Sequence, residues 1–408
     1  MNFFKESKYG IVNSNWKYIP AIEFCSRITD GTHDSPKEQL NGKYLITSRH
    51  IKSRNIDFVN AYFISEEDFD KINKRSKVDQ WDVIISMIGE YCGFCYVERN
   101  EFIDYAVKNV GLFKTEHKDK ALWLYYFLNS RIGKSIIEEN KSGTSQPYLT
   151  LGFLRELQIL IPNSEQELLN ITQLLSSLDD KIDLIYRQNT TLEHIAETLF
   201  RQWFVEEAEE DWEVETLENV FDIGIGRTPP RKEQHWFTTN PNDVKWISIK
   251  DMGNEGIYVN SVSEFLTEEA VQNFNIPIIP KNTVLLSFKM TIGRLAITSE
   301  RMLSNEAIAH FKLKQNSIIF PEYLYLYLKS FRFEQLGSTS SIVESINSQM
   351  IKEMEIIIPN KEKLNEFEII VKPLFEKIKV NQIQTQTLTK LRDTLLPKLM
   401  SGEVKVDY

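Results

Sequence analysis

The chain has 408 residues, 48 Lys and Arg against 58 Asp and Glu, and a formal net charge of −10. Its 42% hydrophobic and 26% charged content is that of a folded globular protein, and no run of roughly eighteen apolar residues is present to span a membrane. The opening MNFFKESKYG lacks the apolar stretch of a signal peptide, and three cysteines suit a reducing compartment. The expected location is the cytoplasm, away from any membrane. An acidic chain, taken whole, counts against a nucleic-acid partner. The charge is uneven, however: cations gather at 49–54, 71–77 and 227–232, and the acidic block EEAEED fills 206–211.

In chain order, the first 150 residues or so are mixed. Short strand-like runs at 44–47 and 83–87 stand between turn signals such as Asp30-Gly31 and Asn41-Gly42. Cys92 and Cys95 form a CxxC without a second ligand pair, in an aromatic, strand-like run, and read as core packing. LWLYYFLNS at 122–130 is bulky and apolar on most faces, hence a buried helix. A heptad stripe follows: Leu168, Ile171, Leu175, Leu178, Ile182, Ile185, Asn189, Leu192, Ala196, Leu199 and Trp203. Alternation of three and four residues predicts a coiled-coil seam.

The remainder repeats this layout. Strand-like runs return at 246–249 and 284–288, with turns at Gly253-Asn254 and Asn316-Ser317. EYLYLYLKS at 322–330 answers LWLYYFLNS, KEMEIIIP at 352–359 answers RELQILIP at 155–162, and Trp212 answers Trp16. The second stripe is Leu364, Phe367, Val371, Leu374, Ile378, Asn381, Thr385, Leu388, Arg392, Leu395 and Leu399. Pro373 is expected at the first position of the second long helix, and Pro397 with Ser401-Gly402 at its end. Asn189 and Thr385 hold equivalent seam positions. They are either tolerated polar residues or a buried polar layer that fixes register. A repeat of about 200 residues is a duplicated domain rather than a solenoid. The expected fold is α+β: two similar domains related by pseudo-twofold symmetry, separated by two long antiparallel coiled-coil helices. The boundaries fall at 1–163 and 206–360 for the domains, 164–205 and 361–402 for the helices, and 403–408 for a tail.

Enzymatic signatures are missing. There is no phosphate-binding loop, no dinucleotide fingerprint, and no metal-ligand spacing among the six histidines. The sequence points to no catalytic residue, no metal and no cofactor bound by this chain. What remains are polar loops at matched places in the two repeats. Thr32 and His33 lie in one, and Arg227 and Thr228 in its counterpart. Arg49, His50, Lys52 and Arg54 follow one strand, and Lys250 follows the matched strand. Lys289 and Arg294 flank a further turn, and Gln146 has the side chain that reads adenine bidentately. Hydroxyls, cations and imidazoles at turns suit phosphate and base-edge contacts.

The segments DDKIDLI at 179–185, LFRQWF at 199–204, TLLPKLMSG at 394–402 and IGRLA at 292–296 resemble those of specificity subunits of type I restriction-modification systems. The likeness extends over essentially the whole chain. It implies two target-recognition domains that each read half of a split site in double-stranded DNA, across a fixed nonspecific gap. It also implies conserved helices that dock two modification subunits, which would bind S-adenosylmethionine and methylate adenine, and restriction subunits that supply motor and nuclease. Competing readings are a protein-only coiled-coil scaffold and a stand-alone nuclease with an unfamiliar site. The half-site separation is expected from the helical spacer. Pro373 to Pro397 spans roughly 36 Å at about 1.5 Å per residue, close to one turn of B-DNA.

Overall fold

Val83–Ser86 and Val284–Ser287 form strands buried on both faces, as short apolar runs bounded by turns do when a sheet is covered on both sides. The computed structural model of the chain describes residues 4–52, 54–253, 256–315, 317–333 and 346–406. The expected turn residues Asn254 and Asn316, and the end of the expected tail, lie outside the described residues. The chain divides into two units, 1–181 with 388–408, and 182–387.

In the first unit, Val83–Ser86 and Arg27–Asp30 flank Val110–Lys114, and Cys95–Val97 closes the antiparallel sheet. A second sheet has Lys43–Thr47 at its centre, antiparallel to Tyr62–Ile64 and parallel to Tyr105–Lys108. Gln158–Ile161 pairs with Lys17–Pro20. Helix Lys118–Asn129 contains the LWLYYFLN segment and lies in the core. There Trp123 meets Trp16 at 5.6 Å and donates its indole N–H to the Leu160 carbonyl at 3.1 Å. Cys92 and Cys95 are buried free thiols of the same core. Burial pushes the Cys95 thiol up to about 12.

The second unit repeats this order. Ile308–Leu313 lies between Phe221–Ile225 and Val284–Ser287, and Leu295–Thr298 follows, with Tyr258–Val259 added at the edge. Val244–Ile247 stands between Glu264–Leu266 and the parallel Leu303–Ser304. Glu213–Thr216 pairs with Glu355–Ile358, and helix Pro321–Ser330 is buried as its counterpart is.

Two long helices run through the chain, Glu165–Arg201 and Lys361–Met400. Neither is a separate body, because each is divided between the units near residues 181 and 387. Every seam position is buried or half-buried, including Leu178, Ile182, Ile185, Leu192 and Leu199 on the first helix. The same holds for Leu374, Ile378, Thr385, Leu388 and Leu395 on the second. Contacts inside each unit run in opposite chain directions. In the first, Asp179 meets Arg392 and Asn170 meets Val406. In the second, Asn189 meets Asn381 and Phe204 meets Phe367. The helices are antiparallel.

Two expectations about the second helix fail. It does not begin at Pro373, and it passes through Pro397 to end at Met400, ahead of Ser401-Gly402. Both prolines face solvent. The carbonyls they deprive of a partner lie on that wetted side, while burial of Val371, Phe375 and Leu399 holds the opposite face. The polar layer is also not Asn189 with Thr385. The amide of Asn381 donates to Asn189 at 2.7 Å and to Gln188 at 2.9 Å, whereas the buried Thr385 hydroxyl finds no hydrogen-bond partner among the described residues. Among the described residues no helix is long and apolar enough to cross a membrane.

Gly224 and His310 face each other across paired strands. A Cβ on Gly224 would stand 2.1 Å from the imidazole, so only glycine fits. Burial, reinforced by the charge of Lys312, pushes His310 down to about 4. The folded protein thus refuses a proton that the unfolded chain takes up near 6.5. This contribution is fully present above pH 6.5 and is lost as pH falls, the loss reaching about 3 kcal/mol at pH 4. In urea unfolding, His310→Phe is expected to gain that amount on the wild-type protein between pH 7 and pH 4. A stability difference that does not change with pH would rule this out.

Candidate nucleic-acid interface

The one-residue corner between strands Tyr105–Lys108 and Val110–Lys114 organises the first unit's polar loops. Asn109 takes a positive φ of 55° there, a conformation asparagine tolerates better than most residues. Its N–H donates to the Thr32 carbonyl at 3.1 Å. Its carbonyl accepts from the Ser48 hydroxyl and from the Met87 N–H. Its side-chain oxygen lies 3.1 Å from His33 Nδ1. Three loops far apart in sequence therefore meet at one residue. A fourth, at 142–148, is closed by mutual Ser142–Tyr148 backbone bonds and joined on by the Gly89 N–H donating to the Pro147 carbonyl at 2.9 Å.

Around this corner the candidate residues separate. Arg49 and Gln146 are exposed. His33 is 63% exposed, with Nε2 2.9 Å from the buried Asp30 carboxylate, which also binds Arg75. Thr32 is half-buried, and its hydroxyl accepts from the Asp34 N–H at 3.1 Å. Lys52 stacks on the Tyr91 ring at 3.5 Å and donates to the Arg49 carbonyl at 2.8 Å.

His50 is only 1% exposed. Its Nδ1 accepts from the Thr47 N–H at 3.0 Å, and burial, followed by the charge of Arg49, lowers its pKa. That ring is part of the turn and offers no surface to a ligand. Arg54 also departs from expectation, since its guanidinium binds Asp179 on the first long helix.

The second unit builds the same junction at 304–307. The Arg227 N–H donates to the Ser304 carbonyl at 2.9 Å, the Asn305 N–H to the Ile247 carbonyl at 3.1 Å, and the Phe288 N–H to the Ala307 carbonyl at 3.0 Å. The Thr228 hydroxyl binds the Glu306 carboxylate. Lys250 is exposed on the short helix Ile249–Met252, which Ser248 and Asp251 cap reciprocally. Lys289 is exposed beside the Phe288 ring, next to Met290 at 98% exposure.

Arg227 and Arg294, expected to point at a ligand, spend donors at home. Arg227 bonds the carbonyls of Phe274 and Asn275 at 3.2 and 3.0 Å, and Arg294 that of Ile249 at 3.0 Å. Guanidinium groups have five donors, so each keeps others for a ligand while its orientation is fixed.

Sequence reasoning passed over Asn109, although an asparagine between two apolar runs is a turn residue that tolerates positive φ. It also passed over Tyr91, and it counted Arg231 only within the 227–232 cluster; that guanidinium stacks on Phe237 and Trp246 at 4.2 and 4.7 Å. Among the described residues no group of His, Cys, Asp or Glu has the grouping to hold a metal ion.

Comparison with known proteins follows the duplication. The type I restriction modification DNA specificity domain matches residues 13–194 and again 209–392. The type I restriction enzyme MjaIX specificity subunit of Methanocaldococcus jannaschii is 26% identical over 70% of this chain and 69% of its own. The HindI specificity subunit of Haemophilus influenzae is 26% identical over 66% of this chain and 73% of its own. In fold, the chain resembles the crystal structure of a type I restriction-modification S subunit from M. genitalium. The TM-score is 0.60 at 16% identity, over 94% of this chain and 96% of that one. With the specificity domain matched on each half, the chain belongs to the type I restriction-modification specificity subunit family.

Proposed function

We propose that the chain is a non-catalytic reader of double-stranded DNA that recognises a two-part site with a fixed nonspecific gap. It would carry two modification subunits, which bind S-adenosylmethionine and methylate adenine, and restriction subunits, to that site. The observation that carries this reading is the recurrence, in each unit, of one strand corner on which polar loops converge amid exposed cations. A scaffold that binds only protein has no use for two such corners. Exposed cations beside hydroxyls, amides and aromatic rings suit phosphate contact and base-edge readout. The acidic remainder of the surface would be repelled by phosphate, which confines DNA to these edges. Docking of partner subunits is supported by apolar residues left exposed on the long helices. Leu184 and Ile195 on one, and Ile369 and Val380 on the other, are spaced at about three turns and so share a face.

Lys250 and Lys289 are assigned to phosphates. The double variant Lys250→Ala/Lys289→Ala is expected to weaken binding equally on all duplexes. It should also make the slope of log K against log salt shallower by about 2, at about 0.9 per phosphate. An unchanged slope would remove both residues from the interface. Gln146→Ala is expected to act differently, relaxing one position of the first half-site by about 1–3 kcal/mol with the slope intact. Equal losses at all positions would make Gln146 a backbone contact.

The gap is assigned to the long helices as a whole, since the second is continuous across Pro373 and Pro397. One heptad inserted in both helices, after Lys181 and after Thr387, preserves the seam. It adds about 10.5 Å of helix. The selected site is expected to keep both halves and lengthen its gap by about three base pairs, read by sequencing bound duplexes. An altered half-site with an unaltered gap would refute this assignment.

A further inference from the structure

In each unit the chain that follows the short turn after the central strand is fastened to a long helix by a side chain buried in that helix. In the first unit an Ile51–Ile56 bridge and the Asp57 N–H to the His50 carbonyl at 2.9 Å turn the chain back. Lys52 at the tip lies on Tyr91, while Arg54 reaches Asp179 Oδ1 at 2.5 Å. Asp179 is 6% exposed. It also accepts from Arg392 of the second long helix at 2.8 Å and from the Tyr126 hydroxyl at 3.0 Å. One carboxylate thus joins the reading loop, both long helices and the core helix.

The second unit makes the same connection with different chemistry. Beyond helix Ile249–Met252 the chain reaches Gly256 and Tyr258. The buried Gln382 amide holds Tyr258 at two points, accepting from its N–H and donating to its carbonyl, each at 3.1 Å. Gly256 has a φ of +86°, and a Cβ there would stand 3.3 Å from that amide. A buried ion network gains little stability over apolar packing of the same volume, but it fixes one geometry. A two-point amide bond to backbone does likewise.

We propose that Asp179 and Gln382 are positioning residues for DNA readout, each setting the stance of its own unit's reading loops from the helix rather than from the loop. This rests on the DNA-reading function proposed above. Loss of either link should blur one half-site and leave the other sharp.

The test uses the full chain assembled with its modification subunits and a random-sequence duplex library, scoring the penalty for each mismatch in the selected site. Asp179→Asn and Arg54→Met are expected to reduce discrimination in the first unit's half about tenfold and to leave the other half unchanged. Gln382→Met should do the reverse, and the salt slope should stay at the wild-type value in all three. Arg54→Met leaves the Asp179–Arg392–Tyr126 contacts in place, so it reads the link without disturbing the helices, and Arg54→Lys should restore discrimination. Wild-type discrimination in Arg54→Met and Gln382→Met, or equal losses in both halves, would overturn the proposal while the DNA reading stands. A wild-type assembly that selects no sequence at all would overturn both.

Discussion

A helix of 40 residues with a single apolar stripe has nowhere in water to bury that stripe except against another of its kind. This constraint governs the rest of the molecule. It explains why Pro373 and Pro397 sit inside a continuous helix: the apolar face is held on both sides of each ring, and the cost falls on the wetted side. It also explains why the first unit is not a single stretch of chain, and why each unit takes part of both helices into its core. Ile171, Leu175, Leu399 and Met400 share the first core, while Ala196, Phe200, Phe367 and Val371 share the second.

Upon that framework the strand corners gather the loops through backbone groups. Asn109 and the 304–307 turn draw the same segments together through main-chain carbonyls and N–H groups. The side chains are therefore free to differ between the units without loss of the junction. His33 and Gln146 stand in one, Lys250 and Lys289 in the other. An edge that keeps its architecture while its surface varies suits the proposed reading of two unlike half-sites.

Much of this was legible in the sequence. The duplication shows in matched segments, while the heptad positions, the strand-like runs at 83–87 and 284–288 and the buried helix at 122–130 follow from apolar pattern, which burial enforces. Less legible was the fate of individual polar groups. Arg54, Arg227 and Arg294 read alike as cations near turns, yet one is fixed by a carboxylate and two by carbonyls supplied from elsewhere in the chain. Burial of His50 depends on a cap whose geometry no spacing announces. Thr385 was matched to Asn189 by adding the repeat offset. In an antiparallel pair, though, partners are found by counting up one helix and down the other, and that leads to Asn381.

The division of the first unit into 1–181 and 388–408 bears on how the protein is made. The second unit is continuous in sequence, so all its residues have left the ribosome before the first unit receives its last helical segment. At roughly 5–20 residues per second, the intervening stretch of about 200 residues keeps the apolar face of residues 165–181 waiting on the order of 10–40 s. The unit synthesised first is thus the one completed last. During that interval its uncovered helix, rather than any loop, is the part of the nascent chain most open to misassociation and to chaperone capture.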